Sequence, residues 1–315
     1  MARMNKPKTI DVHTHLQVTK PVEGIKEEYK YHVSQAIKNS EKRITDMDES
    51  GIDVQALSIA SHVQPPFLEF SPNISRSYND MIAEVVKAHP DRFVGLATVP
   101  LQNPRAAANE LDRTMKQLGF RGTEIGTSVN GKNLDSPELW PFYEKAQELN
   151  AFIFVHPTNV QGAERMPKYH LANLIGNPSA TSLAIASLIF GGVLENFPRL
   201  KFCFAHAGGF APYQRGRFEH GYQVRTECKE KIKKPPSEYF KLLYFDTITH
   251  YEPALTFLIK SVDSYHVLLG SDYPADMADF DPVSSVEGLK TISSIEKKRI
   301  LWNNAAKLLR IVPYE

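Results

Sequence analysis

Eight short apolar runs, with stretches of helical patterning between them, constrain this chain more than any other feature. The runs are residues 9–12, 54–59, 93–99, 122–125, 152–155, 202–205, 243–246 and 266–269. They are continuously apolar rather than alternating, as strands covered on both faces are. Helical segments fill the gaps. Ser40 is placed to cap a helix that runs to Gly51. Asn103-Pro104 opens another that ends near Gly119, with a capping residue, proline at the first helical position and glycine beyond the end. Ser136-Pro137 opens a third, ending near Asn150. Residues 73–89, 181–196, 253–261 and 294–309 complete the set. Eight strand-like runs with seven such helical segments between and after them predict an α/β chain folded as a (β/α)8 TIM barrel. A doubly wound sheet is the other solution for such a pattern, but no glycine-rich phosphate loop follows the first run. No linker, low-complexity tract or repeat divides residues 1–315, which read as a single domain.

Composition removes several classes of function. With 42% hydrophobic residues the chain can build a full core, which excludes global disorder. A formal charge of +1 offers no global field for nucleic acid or anionic lipid. The two cysteines, Cys203 and Cys228, are far apart and in no metal-type spacing, which suits a reducing compartment. The start, Met1 to Pro7, is polar and has no apolar signal core, and no apolar stretch reaches membrane-spanning length. A soluble, cytoplasmic protein is expected.

The chemistry-bearing residues gather at the ends of the apolar runs. His13 and His15 are two apart, so a strand puts both imidazoles on one face. His156, His206 and Asp272 follow three later runs. In a barrel all strand ends meet on one rim, so these five converge. Three imidazoles and a carboxylate suit a divalent transition ion, most simply Zn²⁺, with Mn²⁺ or another divalent metal as alternatives. An ion with a position open to water lowers the pKa of that water from 15.7 to about 7. His206 is the extra imidazole, better placed as a general acid/base than as a ligand. Two insertions, 17–39 and 160–179, fall at the same mouth, where barrel enzymes build their pockets.

These pieces carry a resemblance. Asp11-Val12-His13-Thr14-His15, Phe154-Val155-His156-Pro157, Phe204-Ala205-His206-Ala207-Gly208-Gly209 and Leu269-Gly270-Ser271-Asp272-Tyr273-Pro274 resemble the amidohydrolase superfamily. Within it they are similar to the metal-dependent decarboxylases typified by 2-amino-3-carboxymuconate-6-semialdehyde decarboxylase. The stretch from Arg43-Ile44 to Ser58, Arg92-Phe93-Val94-Gly95-Leu96, Gly191-Gly192-Val193 and Asn196-Phe197-Pro198 extend the likeness over nearly the whole chain. The resemblance implies Zn²⁺ on His13, His15, His156 and Asp272, and His206 activating metal-bound water. It also implies a homodimer in which Arg217 reaches the partner's pocket to hold a carboxylate. A second carboxylate-binding arginine of the family falls here on Tyr31, flanked by Lys30 and His32. Two aromatic pocket positions fall on Asn173 and Ala275.

The expected activity is nonoxidative decarboxylation of a small unsaturated or aromatic carboxylate. The alternative is a hydrolase or hydratase acting on a lactone, amide or double bond. An inactive metal-binding scaffold has no need of His206 beside an open metal position. Other histidines take plainer roles: His89 ends a helix, His266 starts a strand, and His62 and His250 are on the rim, where a packing or supporting role is favoured over lining the pocket. The run 229–234 reads as solvated, and Cys203 as a core residue. Gly208-Gly209 makes a turn or admits a bound anion.

Overall fold

The computed structural model describes residues 9–16, 26–59, 72–158 and 160–311, the side chains of 26–33 excepted. Tyr31, His32 and His62 therefore have side chains outside the described residues. The strands are β1 (Ile10–Leu16), β2 (Val54–Ile59), β3 (Phe93–Thr98), β4 (Gly122–Gly126), β5 (Phe152–His156), β6 (Lys201–Phe204), β7 (Tyr244–Asp246) and β8 (Val267–Leu268). Each pairs in parallel with the next. The chain after β8 returns to β1. Val12 N–H donates to Leu269 O at 2.9 Å, Asp272 N–H to His13 O at 2.8 Å, and His15 N–H to Tyr273 O at 2.8 Å. These bonds bring the two ends of the sheet together, and the expected (β/α)8 barrel is the fold.

Strand alternation sorts the core into two layers. Ile10, Val12, Val54, Ala56, Leu96, Phe152, Phe154, Cys203, Ala205 and Leu268 form one cluster inside the barrel, closed by Trp302, Ala305 and Leu309 of the C-terminal helical segment. Leu57, Phe93, Ile153, Val155, Phe202, Phe204 and Phe245 belong to the other cluster, shared with the surrounding helices. His156 continues the inward parity of Phe152 and Phe154. β1 keeps that parity for its histidines by a bulge. Its register with β2 runs Asp11↔Gln55 and then Thr14↔Leu57, so one extra residue lies on β1. A bulge of this kind re-aims side chains, and here both histidines join the interior face that Ile10 and Val12 began.

Several boundaries differ from the sequence expectation. β1 runs on through both histidines to Leu16 instead of stopping at Val12. The first helix opens at Lys26, not Ser40. No glycine or proline interrupts 26–40, and the Ser40 hydroxyl donates to Ile37 O, so it caps nothing. The second insertion ends sooner, because the helix expected at Thr181 begins at Asn177. A small hairpin, Ser128–Val129 with Lys132–Asn133, follows β4. Its turn is Asn130-Gly131, both at positive φ, as a two-residue hairpin of this hand requires. The helix Arg215–Val224, between β6 and β7, carries neither a capping side chain nor a proline at its start. No helix among the described residues is long and apolar enough to cross a membrane.

Candidate metal centre

The five predicted residues meet at the C-terminal rim. His13, His156, His206 and Asp272 each present a ligand-type atom, and these atoms lie within 4.8 Å of one another. His15 joins them through Asp272: the Nε2 atoms of His13 and His15 are each 3.2 Å from Asp272 Oδ1. His206 Nε2 is 3.3 Å from Asp272 Oδ2. The imidazoles pack edge to face, with ring centroids 4.8 Å apart for His15 and His156 and 5.2 Å for His156 and His206. His13, His15, His156 and Asp272 are all buried.

Groups behind the rings fix which nitrogen faces inward. His13 Nδ1 is 2.7 Å from Asp246 Oδ2, so Nδ1 keeps a proton for that carboxylate and Nε2 is the nitrogen turned to the centre. Ser58 donates to Thr14 O at 2.9 Å and so accepts from His15 Nδ1 at 3.1 Å. Glu124 Oε2 lies 3.4 Å from the same Nδ1. Beneath the rim, Asp11 accepts from the His13 and Ser271 N–H groups at 3.1 Å and from the Ser271 hydroxyl at 2.5 Å. It thereby pins β1 to the segment that carries Asp272. Arg43 reinforces this join, donating to His15 O and Gln55 and lying 4.6 Å over the Tyr273 ring.

The electrostatics favour a cation at the centre. Burial alone would raise the Asp272 carboxyl, but the His13 charge and contacts from His13, His15 and His206 hold it well below the usual carboxylate range. Burial would likewise lower His13, yet the Asp272 charge and the Asp246 hydrogen bond push it up to about 10. Burial, and then the neighbouring His15 and His13, lower His156 well below its ordinary value, so it is neutral and able to ligate. A field that favours a proton on His13 also favours a divalent ion. The buried Nε2 atoms of His13 and His15 make no aligned hydrogen bond and face one carboxylate oxygen, which is the donor set of a metal site.

The amidohydrolase family pattern matches residues 10–311. This chain belongs to the amidohydrolase family. It is 36% identical to 2-amino-3-carboxymuconate-6-semialdehyde decarboxylase of Dictyostelium discoideum, over 96% of this chain and 92% of the relative. The enzyme of that name from Caenorhabditis elegans is 31% identical, over 87% of this chain and 81% of the relative. The crystal structure of dihydroxybenzoic acid decarboxylase from Polaromonas sp. JS666, with bound manganese and the inhibitor 2-nitroresorcinol, superposes with a TM-score of 0.84. It is 26% identical and covers 97% of this chain and 98% of its own.

In this amidohydrolase a cavity of about 620 Å³ opens beside His206, walled by Phe210, Tyr213, His250, Tyr251 and Phe257. Asn173 lines it as well. Ala275 is half-buried on the turn after Asp272, its N–H donating to Asp272 O at 2.9 Å. Arg217 is exposed on the helix Arg215–Val224 and is not on the wall of its own chain's cavity. His250, for which the sequence favours packing over lining the pocket, is an exposed part of the wall. Gly208 and Gly209 are explained by packing: an added Cβ would meet the Phe245 ring at 2.6 Å and Pro178 O at 2.2 Å. Asp246, Ser58 and Glu124 escaped the sequence reading as functional groups. For Asp246 a signal existed, since it is an acid ending an apolar run.

Proposed function

We propose that this chain is a metal-dependent, nonoxidative decarboxylase, a carbon–carbon lyase acting on a small unsaturated or aromatic carboxylate. His13, His15, His156 and Asp272 hold the ion, and His206 is the acid/base. One observation carries the reading. His206 touches Asp272 on one side and walls the cavity on the other, with its side chain 19% exposed. An imidazole between a ligand cluster and a cavity can exchange protons with both. A divalent ion on that donor set supplies Lewis acidity and makes water acidic near neutral pH. Replacing a carboxylate by hydrogen takes one proton at the carbon that loses CO₂. The electron pair of the broken carbon–carbon bond ends in the new C–H bond. His206 in its imidazolium form gives that proton and regains one from solvent. The Dictyostelium and Polaromonas relatives, both named decarboxylases, support the same reaction class.

Zn²⁺ is the ion we favour because imidazoles outnumber carboxylates among the donors. Mn²⁺, bound in the Polaromonas structure, is the alternative. The single-domain reading of residues 1–315 rests on a family match that runs from 10 to 311. A cytoplasmic setting suits cysteines that remain unpaired. Arg217, Tyr31, Asn173 and Ala275 make up the substrate-binding set, with Arg217 supplied by the partner in a homodimer. Its exposure on a helix away from its own cavity supports that arrangement.

Two experiments test the proposal. A panel of unsaturated and aromatic acids is assayed with CO₂ trapped and hydrolysis and hydration products followed. CO₂ from at least one acid is expected. Hydrolysis or hydration with no CO₂ from any acid overturns the lyase in favour of the hydrolase or hydratase. For the dimer, inactive Arg217→Ala subunits are mixed with inactive His206→Asn subunits. One site of each mixed dimer then has a wild-type Arg217 and its own His206. Partial recovery is expected, and none despite verified subunit exchange overturns sharing.

A further inference from the structure

We infer that Asp246 is a positioning residue that sets two parts of the site at once, the tautomer of His13 and the backbone that presents His206. The inference rests on the proposed roles of His13 as ligand and His206 as acid/base. Asp246 ends β7 and is 0% exposed, so every acceptor site on its carboxylate must be met by protein. Four donors meet them. Oδ2 takes His13 Nδ1–H at 2.7 Å and His206 N–H at 2.9 Å. Oδ1 takes Ala207 N–H at 2.7 Å and Ile248 N–H at 3.1 Å. A carboxylate has about four such sites, so this one is saturated.

The two jobs are mechanically one. His206 and Ala207 lie at φ +53° and +56°, a left-handed conformation that side chains other than glycine disfavour. Their successive N–H groups converge on the same carboxylate, as backbone amides do around a bound anion. Asp246 thus supplies the anion that holds the turn, and the turn presents the His206 ring. The oxygen that anchors His206 N–H is the one that takes the His13 proton. Gly270 closes the back: a Cβ there would come within 2.8 Å of Asp246 Cβ and 3.0 Å of His13 Cβ. The carboxylate has little room to serve one partner without the other.

Asp246→Asn breaks this arrangement at nearly constant shape. Either way round, the amide NH₂ faces two donors. In one orientation His13 must move its proton to Nε2, against the ion, and His206 N–H is stranded. In the other, Ala207 and Ile248 N–H are stranded and the turn loosens. Ser58→Ala is the comparison, because Ser58 orients His15 and contacts nothing in the His206 turn.

Zn²⁺ and Mn²⁺ affinities are measured by chelator competition, then kcat against pH at saturating metal on an acid that releases CO₂. Both variants should bind metal about 10–100-fold more weakly. Once loaded, Ser58→Ala should keep the wild-type shape of the pH profile. Asp246→Asn should stay about a hundredfold down in kcat, the scale of a displaced catalytic group, with an altered profile. A loaded Asp246→Asn that regains wild-type kcat and profile, or one with unchanged metal affinity, overturns the inference. A wild type that binds no metal sinks the proposed function instead, so the two failures are distinguishable. Long-range ¹⁵N NMR of Zn²⁺-loaded, histidine-labelled wild type tests the first job without any variant. His13 should carry its proton on Nδ1, and an Nε2–H tautomer overturns the assignment.

Discussion

The two sides of the barrel mouth are built on opposite principles. On the side of β1, β5 and β8 the polar groups are buried and bonded to one another. His13 is backed by Asp246, His15 by Ser58 and Glu124, and the Asp272 segment by Asp11 and Arg43. On the cavity side the wall is aromatic and open. Tyr213 is 75% exposed and Tyr251 65%. A buried polar network tolerates little, because any partner removed leaves another stranded in low dielectric. An exposed wall on loops tolerates much. Under the proposed function the buried, ligand side fixes what chemistry is possible, and the open side selects what enters. His206 stands on the boundary.

The largest effect should come from the ligand side. Wild-type protein is expected to carry about one divalent ion per chain, as a mononuclear site does. His13→Ala and Asp272→Ala should lose it, as read by elemental analysis of dialysed protein. Full metal retention in either variant would remove that residue from the ligand set. It would also end the contrast between the two sides, since the buried network would then serve packing alone.

His206→Asn comes next and tests the boundary. It should bind metal as wild type does and lose about 10²–10⁴-fold in kcat, the usual contribution of a general acid or base. Metal loss in this variant would make His206 a ligand and move the boundary one residue toward the cavity. The geometry makes the question worth asking, since His206 lies among the ligand-type atoms that gather within 4.8 Å.

The same contrast explains what was legible in the sequence. The proposed ligands sit at the ends of apolar runs, and parity along a strand is a local property. The barrel and all five rim residues could thus be read from periodicity and spacing. The bulge that turns His13 and His15 inward could not, because it exists only in the pairing of β1 with β2. Asp246 shows in the sequence as an acid ending an apolar run, but its role does not, because its four partners come from β1, the turn after β6 and its own strand end. The helix at Lys26 was missed because Ser40 offered a start signal that the longer helix overrode. The cavity wall comes from loops, whose placement no period encodes.

The smallest expected effect is on selectivity, and it belongs to the open side. 2-Amino-3-carboxymuconate-6-semialdehyde should be a poor substrate beside simpler unsaturated or aromatic acids. Where the family resemblance places a second carboxylate-binding arginine, this chain has Tyr31. A phenol gives one hydrogen bond where a guanidinium gives a fork and a full charge. A hydrogen bond to a charged group is worth about 1.5–3 kcal/mol, so recognition of a second carboxylate should weaken roughly ten- to a hundredfold. Asn173, on the cavity wall, and Ala275, on the turn beside Asp272, stand where that resemblance has aromatic rings. Under the proposed function they change the shape and polarity of what can be held without replacing a metal ligand. Comparing kcat/KM for the semialdehyde and for simpler acids, with CO₂ trapped in both assays, decides the matter. Rapid turnover of the semialdehyde by wild type would refute the selectivity claim and leave the metal chemistry standing. Tyr31→Arg sharpens the comparison: it should raise kcat/KM for the dicarboxylate about tenfold or more while leaving metal content unchanged. A rise shared equally by monocarboxylates would show that the gain is general charge attraction and not recognition of the second carboxylate.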